Sequence, residues 1–173
     1  MRIGSTDTRK FKNFQIRWNE KMFQGKKHYL TRWTLIIGGY SIRLHHWLSD
    51  DVAAGRFYHN HSSNLISIVL SGKYWNVTPK FKTRNANEWI PGIGINREIH
   101  VVTGLFNLFK SYLPDKKFIW FSKAEDFHYL RIIEPSWTLL LEGKPKNKWG
   151  FMVNGKLLRP LRFFNKFKEY TRS

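Results

Sequence analysis

The 173-residue chain contains no cysteine. That absence removes disulfides, thiolate metal sites and a cysteine nucleophile together. Nor does any run approach the ~20 apolar residues that a bilayer-spanning helix needs. The opening stretch MRIGSTDTRKFKNFQIRWNEK is basic but lacks the apolar segment of a secretory signal. Acidic residues are scarce, 12 against 30 lysines and arginines, giving a formal net charge of +18. What is abundant is aromatic: 14 Phe, 8 Trp and 7 Tyr make up 17% of the chain, too rich for a disordered protein. The length fits one domain, or one domain with tails. The expectation is a globular protein without a membrane partner, located in the cytoplasm, or in the host cytoplasm or virion if the chain is viral.

The basic surplus is unevenly spread. Residues 1–27 carry eight Lys/Arg against Asp7 and Glu20, and residues 144–173 carry nine against Glu169, so the two ends hold net charges of +6 and +8. The 116 residues between them hold only +4. Basic ends neutralise phosphates and release counterions on polyanions, although solubility alone also accounts for such charge. The candidates for polyanion contact are Arg9, Lys10, Lys12, Lys26, Lys27, Lys144, Lys146 and Lys148. Their partner would be nucleic acid or an acidic protein assembly, and the ends are expected to lie outside the folded core.

Between these ends the sequence reads as β. His28–Ile37, Tyr40–Trp47, Asn64–Trp75, Lys117–Phe121, Phe127–Ile133, Trp137–Glu142 and Trp149–Val153 are short runs rich in β-branched and aromatic residues. Gly38-Gly39, Ser49-Asp50-Asp51, Glu134-Pro135-Ser136 and Gly143-Lys144-Pro145 separate them as turns. Within Leu65–Val69 nearly every residue is apolar, which predicts a strand buried on both faces. Seven or more such strands predict an all-β sandwich or barrel. Residues 80–115 break the rhythm with Pro91-Gly92-Ile93-Gly94 and a short helical pattern around Leu105–Tyr112, and are expected to leave the barrel. Arg159–Tyr170 fits a strand or an amphipathic helix. The expected organisation is a basic N-terminal extension over 1–27, a barrel domain over 28–164 with an excursion at 80–115, and a tail over 165–173.

The sharpest local feature is His59-Asn60-His61. On an extended strand, residues i and i+2 point to one face, so two imidazoles project side by side and offer two nitrogens to one metal ion. Taken alone, the triplet equally describes two surface or hydrogen-bonded core histidines. His45-His46-Trp47 closes a strand fourteen positions before His59, and Gly72 ends the apolar run eleven positions after His61. Histidine, one residue, histidine, an apolar strand and a glycine together resemble the first motif of the cupin superfamily. His128, after Phe121-Ser122-Lys123-Ala124-Glu125-Asp126-Phe127, resembles the single histidine of the second motif. Arg43-Leu44-His45-His46-Trp47, Ser49-Asp50-Asp51, Leu70-Ser71-Gly72-Lys73-Tyr74, Trp137-Thr138-Leu139 and Trp149-Gly150-Phe151 extend the likeness. It resembles small single-domain cupin-like proteins of bacteria and their phages, a group of unsettled function.

The resemblance implies a double-stranded β-helix, or jelly-roll, barrel with a metal at its mouth and His59, His61 and His128 as ligands. In one place the sequence departs from the pattern. The glutamate that the first motif carries about seven residues before its glycine is here Leu65, with Asn64 and Ser67 as poor substitutes. Three neutral imidazoles suit Fe(II) or Zn(II), and also Mn(II) or Ni(II). The three-histidine set is similar to that of thiol dioxygenases, and is equally compatible with a hydrolytic or isomerising role.

Other residues carry weaker expectations. Alternation sends one of His45 and His46 inward and the other outward. Glu125 and Asp126 are placed to act as acid/base groups but read as a solvated turn. Tyr74, Trp137 and Trp149 are the candidates for lining a pocket, with packing as their ordinary role. Two functions from different classes compete. One is a metal-dependent cupin, dioxygenase-like, isomerase-like or simply small-molecule-binding. The other is a non-catalytic architectural module that uses its basic ends on a virion, ribosome or nucleic acid. Self-association into a homo-oligomer is compatible with either.

Overall fold

The computed structural model describes residues 2–3, 7–24, 26–51, 57–79, 97–104, 118–153 and 156–166. The strands are β1 (Arg2–Ile3), β2 (Asp7–Lys10), β3 (Phe14–Gln24), β4 (Lys27–Ile37), β5 (Tyr40–Trp47), β6 (Leu65–Pro79), β7 (Arg97–Thr103), β8 (Ile119–Ser122), β9 (Tyr129–Glu142), β10 (Phe151–Val153) and β11 (Lys156–Leu158). Among the described residues one helix, α1 (Pro160–Lys166), follows. The all-β expectation holds. A nine-stranded antiparallel sheet runs β1-β3-β4-β5-β9-β6-β7, with β2 on β3 and β8 on β6, and β10 pairs with β11.

Two long strands shape this sheet. β6 and β9 pair from Leu65↔Glu142 to Val77↔Tyr129, with register shifts between Val69 and Tyr74. The far edge of β9 takes β5 along residues 136–142 and a bridge from His59 at His128. The ribbon therefore belongs to two halves of the molecule. Gly72 sits among the register shifts with φ +82°, and a Cβ there would stand 2.2 Å from the Pro135 carbonyl oxygen. Glu134-Pro135-Ser136, expected to separate two strands, instead lies inside one. Proline is tolerated there because a bulge removes the need for its missing N–H. The sheet folds over, and Met22, Tyr29, Leu30 and Trp47 of β3–β5 pack with Leu130 and Ile132 of β9.

The β4–β5 hairpin turns through Gly38 and Gly39, at φ +55° and +87°. A two-residue loop with both φ values positive matches the twist of antiparallel strands, and glycine adopts it without a Cβ clash. Along Leu65–Val69 burial alternates: Leu65, Ser67 and Val69 are buried, whereas Ile66 and Ile68 are half-buried. The expectation of burial on both faces is thus met only in part.

The terminal segments differ from expectation. Phe14–Gln24, within the expected 1–27 extension, is not outside the sheet: β3 pairs with β4 from Phe14↔Ile37 to Gln24↔Lys27, and buries Glu20 and Met22. Only Glu20 and Met22 of this segment are buried, so the sequence carries no sustained alternation that marks it as a strand. At the other end, Arg159–Tyr170 resolves as helix over Pro160–Lys166, anchored by Phe163 against Phe57, Phe151 and Val153. Of the 80–115 excursion, Arg97–Thr103 is strand β7, paired with β6. The Pro91–Gly94 turn and the helical pattern at Leu105–Tyr112 lie outside the described residues, as does the tail beyond 166.

Candidate metal centre

The folded sheet lines an open cavity of about 350 Å³. On β4, β5 and β9, residues at alternate positions face it: Leu30 and Arg32; Arg43, His45 and Trp47; Thr138, Leu140 and Glu142. The opposing wall supplies His59, His61, Asn76 and His128.

His59 is held by two backbone hydrogen bonds to His128, N–H to C=O at 2.9 Å in each direction, and this bridge sets the two side chains side by side. His61 follows two residues later on the same face. Its Nε2 lies 2.7 Å from Nε2 of His128. The ring centroids are 5.3 Å (His59–His61), 4.8 Å (His59–His128) and 4.9 Å (His61–His128) apart. One nitrogen from each ring falls within 4.8 Å of the others. The structure thus brings together the three histidines singled out in the sequence.

The second nitrogens are also placed. His128 Nδ1 lies 2.7 Å from Oδ1 of Asn76, which is 1% exposed. An amide oxygen only accepts, so the proton is on Nδ1 and the lone pair of Nε2 faces His61. His59 Nδ1 lies 3.7 Å from Asp51 Oδ2, whose carboxylate also accepts the Leu130 N–H at 2.7 Å. Burial holds His128 down at about 4 and keeps His59 and His61 well below the ordinary imidazole range, with neighbouring imidazoles adding to the effect. All three are neutral at physiological pH, the state that binds metal.

Leu65, at the position of the usual cupin glutamate, lines the cavity and is buried. Its cross-strand partner is Glu142, a carboxylate committed elsewhere: Arg43 Nη2 approaches it at 2.7 Å and Ser41 Oγ donates to it at 2.8 Å. Among the described residues, no carboxylate joins the histidine group. A second, partly buried ion pair joins Arg32 to Glu20. Burial pushes the Glu20 carboxyl up, but the hydrogen bond and charge of Arg32 outweigh it, with Arg17 and Arg43 assisting, and hold it below its ordinary value.

The remaining candidates divide. Tyr74 lines the cavity, and burial pushes its phenol up to about 12, so it stays protonated. Trp149 also lines it, 39% exposed. Trp137 does not line the cavity. With Leu139 and Leu141 it occupies the other face of β9, where it stacks on Trp33 at 5.6 Å and on His46 at 4.2 Å. His45 is the inward histidine of its pair and His46 the outward one. Glu125 and Asp126 lie in an exposed turn, where Asp126 accepts the Lys123 N–H at 2.7 Å. Arg9, Lys10, Lys12, Lys26, Lys27, Lys144, Lys146 and Lys148 are all exposed, with Lys144 Nζ 5.5 Å from the ring centre of Tyr40. Asn76, Arg43 and Glu142 were missed in the sequence, because only the register of distant strands brings them to the site.

No family model matches the chain, and no curated protein matches its sequence. Solved structures do show similarity. An Fe(II) form of HppE aligns at 12% identity and a TM-score of 0.44, over 71% of this chain and 54% of that one. A conserved protein of unknown function, SPY1581 from Streptococcus pyogenes, aligns at 14% and 0.41, over 73% and 82%. Protein NMB1881 from Neisseria meningitidis aligns at 13% and 0.38, over 67% and 86%. The chain spans about half the length of HppE. Similarity this loose carries no residue role across.

Proposed function

We propose that the protein is a cupin-like metal-binding protein that holds one divalent ion on His59, His61 and His128 and admits a small ligand beside it. The observation that carries this reading is the convergence of three neutral imidazoles, His128 buried and His59 and His61 partly so, from distant parts of the chain at one wall of the cavity. The donor set suits the ion. Three nitrogens and no thiolate fit Fe(II), Zn(II), Mn(II) or Ni(II), and leave coordination positions open to a ligand.

The chain's own residues prepare that site. Asn76 fixes the His128 tautomer, and Asp51 flanks Nδ1 of His59. Nε2 of His61 gives its proton to His128 in the absence of a cation, so binding requires His61 to carry that proton on Nδ1 instead. His61 and His128, whose Nε2 atoms lie 2.7 Å apart, would hold the ion together with His59. A bound ion supplies Lewis acidity or redox chemistry, and the reaction class, dioxygenase-like or isomerase-like, follows from what occupies the open positions.

The test is elemental analysis of protein purified without a histidine tag, followed by titration with Fe(II) and Zn(II). One ion per chain, lost in both His59→Ala and His128→Ala, supports the proposal. Failure to take up either ion at stoichiometric level would falsify it.

A second reading, a module for polyanions, rests on the exposure of all eight terminal lysines and arginines named above. Its mark is affinity for nucleic acid that falls steeply with salt and is weakened by Lys144→Gln, Lys146→Gln and Lys148→Gln together.

A further inference from the structure

The wall opposite the histidines carries a second polar group that metal binding does not use. Cross-strand register places Glu20 beside Arg32, Arg32 beside His45, and His45 beside Thr138. In the next row Thr34 stands beside Arg43. The neighbouring row, Met22, Leu30 and Trp47, is apolar and buried. Charged and polar side chains thus cross the middle of an otherwise greasy surface, and Arg32, Arg43, His45 and Thr138 line the cavity.

These groups are under-used. Thr34 Oγ1, Arg43 Nε, both ring nitrogens of His45 and Thr138 Oγ1 are buried without a hydrogen-bond partner. They come from two adjacent cross-strand pairs, Thr34–Arg43 and His45–Thr138. Each guanidinium meets one carboxylate, Arg32 through Nε to Glu20 and Arg43 through Nη2 to Glu142, and each has five N–H donors to give. Buried polar groups in native proteins are satisfied as a rule, so the unsatisfied groups of Arg43, His45 and Thr138, which line the cavity, mark a place completed by something else.

The chemistry of that something follows from the donors. Arginine offers only N–H groups, and a planar carboxylate or similar oxyanion is the acceptor its geometry fits. Arg43 and His61 line the same cavity. We propose that Arg43, flanked by His45, Thr138 and Arg32, binds the carboxylate of a small organic acid whose other end reaches toward His59, His61 and His128. This deepens the metal-centre reading and rests on it only for the far end of the ligand. A cavity of about 350 Å³ lies at the small end of ligand pockets, which limits the acid to a compact molecule.

The experiment titrates the full chain, labelled with ¹⁵N-arginine, with acetate, pyruvate, succinate and benzoate and with their amides, at fixed ionic strength, with and without Zn(II). At least one acid should bind saturably, shift the Arg43 Nε–H resonance, and bind at least tenfold tighter than its amide. Arg43→Lys, and the double variant Arg43→Gln/Glu142→Gln that leaves no buried carboxylate unpaired, should each lose at least tenfold of that affinity. Lys156→Gln, at an exposed position, should lose none. Amides binding as well as acids, no saturable acid binding at all, or undiminished binding by a folded Arg43 variant would each overturn the proposal. Zn(II) content, measured on the same samples, separates the two readings. Acid preference without metal uptake defeats the metal centre alone, and metal uptake without acid preference defeats the carboxylate site alone.

Discussion

His128 donates through Nδ1 to Oδ1 of Asn76 at 2.7 Å, and this bond decides which of its nitrogens faces the other two histidines. The consequence is measurable. Asn76→Ala should weaken metal binding by about 10–100-fold, the usual cost of losing a partner that orients a ligand. Asn76→Asp, which keeps an acceptor, should bind better than the alanine variant. Competition with a chelator of known affinity reads both.

Acid should destabilise the metal-free protein through its buried histidines. Burial lowers His128 to about 4 and holds His45, His59 and His61 well below their ordinary value. In the unfolded chain these groups titrate near 6.5, so between about pH 6.5 and pH 4 the unfolded state binds more protons and stability falls as pH falls. For His128 alone, lowered by burial from 6.5 to about 4, the loss is on the order of 3 kcal/mol. Urea midpoints from pH 8 to pH 4 should be flat above pH 7 and drop steeply below 6.5. A midpoint unchanged down to pH 4.5 contradicts the buried, neutral assignment.

Gly72→Ala should be severely destabilising. Its φ of +82° disfavours any side chain, and the added Cβ would stand 2.2 Å from the Pro135 oxygen and 2.5 Å from Ser136 Oγ. The cost should reach about 3 kcal/mol or more. Gly38→Ala, with the same sign of φ but nothing within 4 Å, should cost clearly less. Equal losses in thermal or urea unfolding would show that backbone conformation alone, without the close approach, governs the corner.

Glu20→Ala should cost about 3–5 kcal/mol, because Glu20 is 3% exposed and its loss strands the partly buried Arg32. The double variant Glu20→Ala/Arg32→Met should recover much of that stability. A double variant no more stable than the single one would place the importance of Glu20 elsewhere.

Removing residues 1–24 should abolish cooperative unfolding. That segment contains β3, whose loss strips the ladder from β4 and leaves a long edge open to aggregation. A truncated chain that remains monomeric with an unchanged midpoint would return the segment to the status of an extension.

Much of this molecule is legible in its sequence, for local reasons. β5 begins and ends where the Tyr40–Trp47 run does, since a Gly-Gly turn and a Ser-Asp-Asp turn bracket it. His59 and His61 are recognised because two-residue spacing is a local property, and the cupin likeness points to His128. What stayed hidden depends on long-range register. Nothing near Asn76 says that it will face a histidine 52 residues away, and nothing near Arg43 announces Glu142. Trp137 was assigned to a pocket because an aromatic residue does not state its own side of a strand. Nothing local in Phe14–Gln24 announces that it pairs with β4, since only Glu20 and Met22 of that strand are buried and the segments around it are basic.

The long ribbon of β6 and β9 also sets a clock. Ser41 meets Glu142 across 101 residues, and His61 meets His128 across 67, so the cavity and its histidines come into being only when remote parts of the chain have closed on one another. Such non-local pairings are slow to form, because loop-closure entropy must be spent before any contact repays it. Until then the chain offers a cation nothing but a neighbouring His-x-His pair. The moment at which this polypeptide gains a three-nitrogen site is fixed by closure of the sheet, and not by completion of its synthesis.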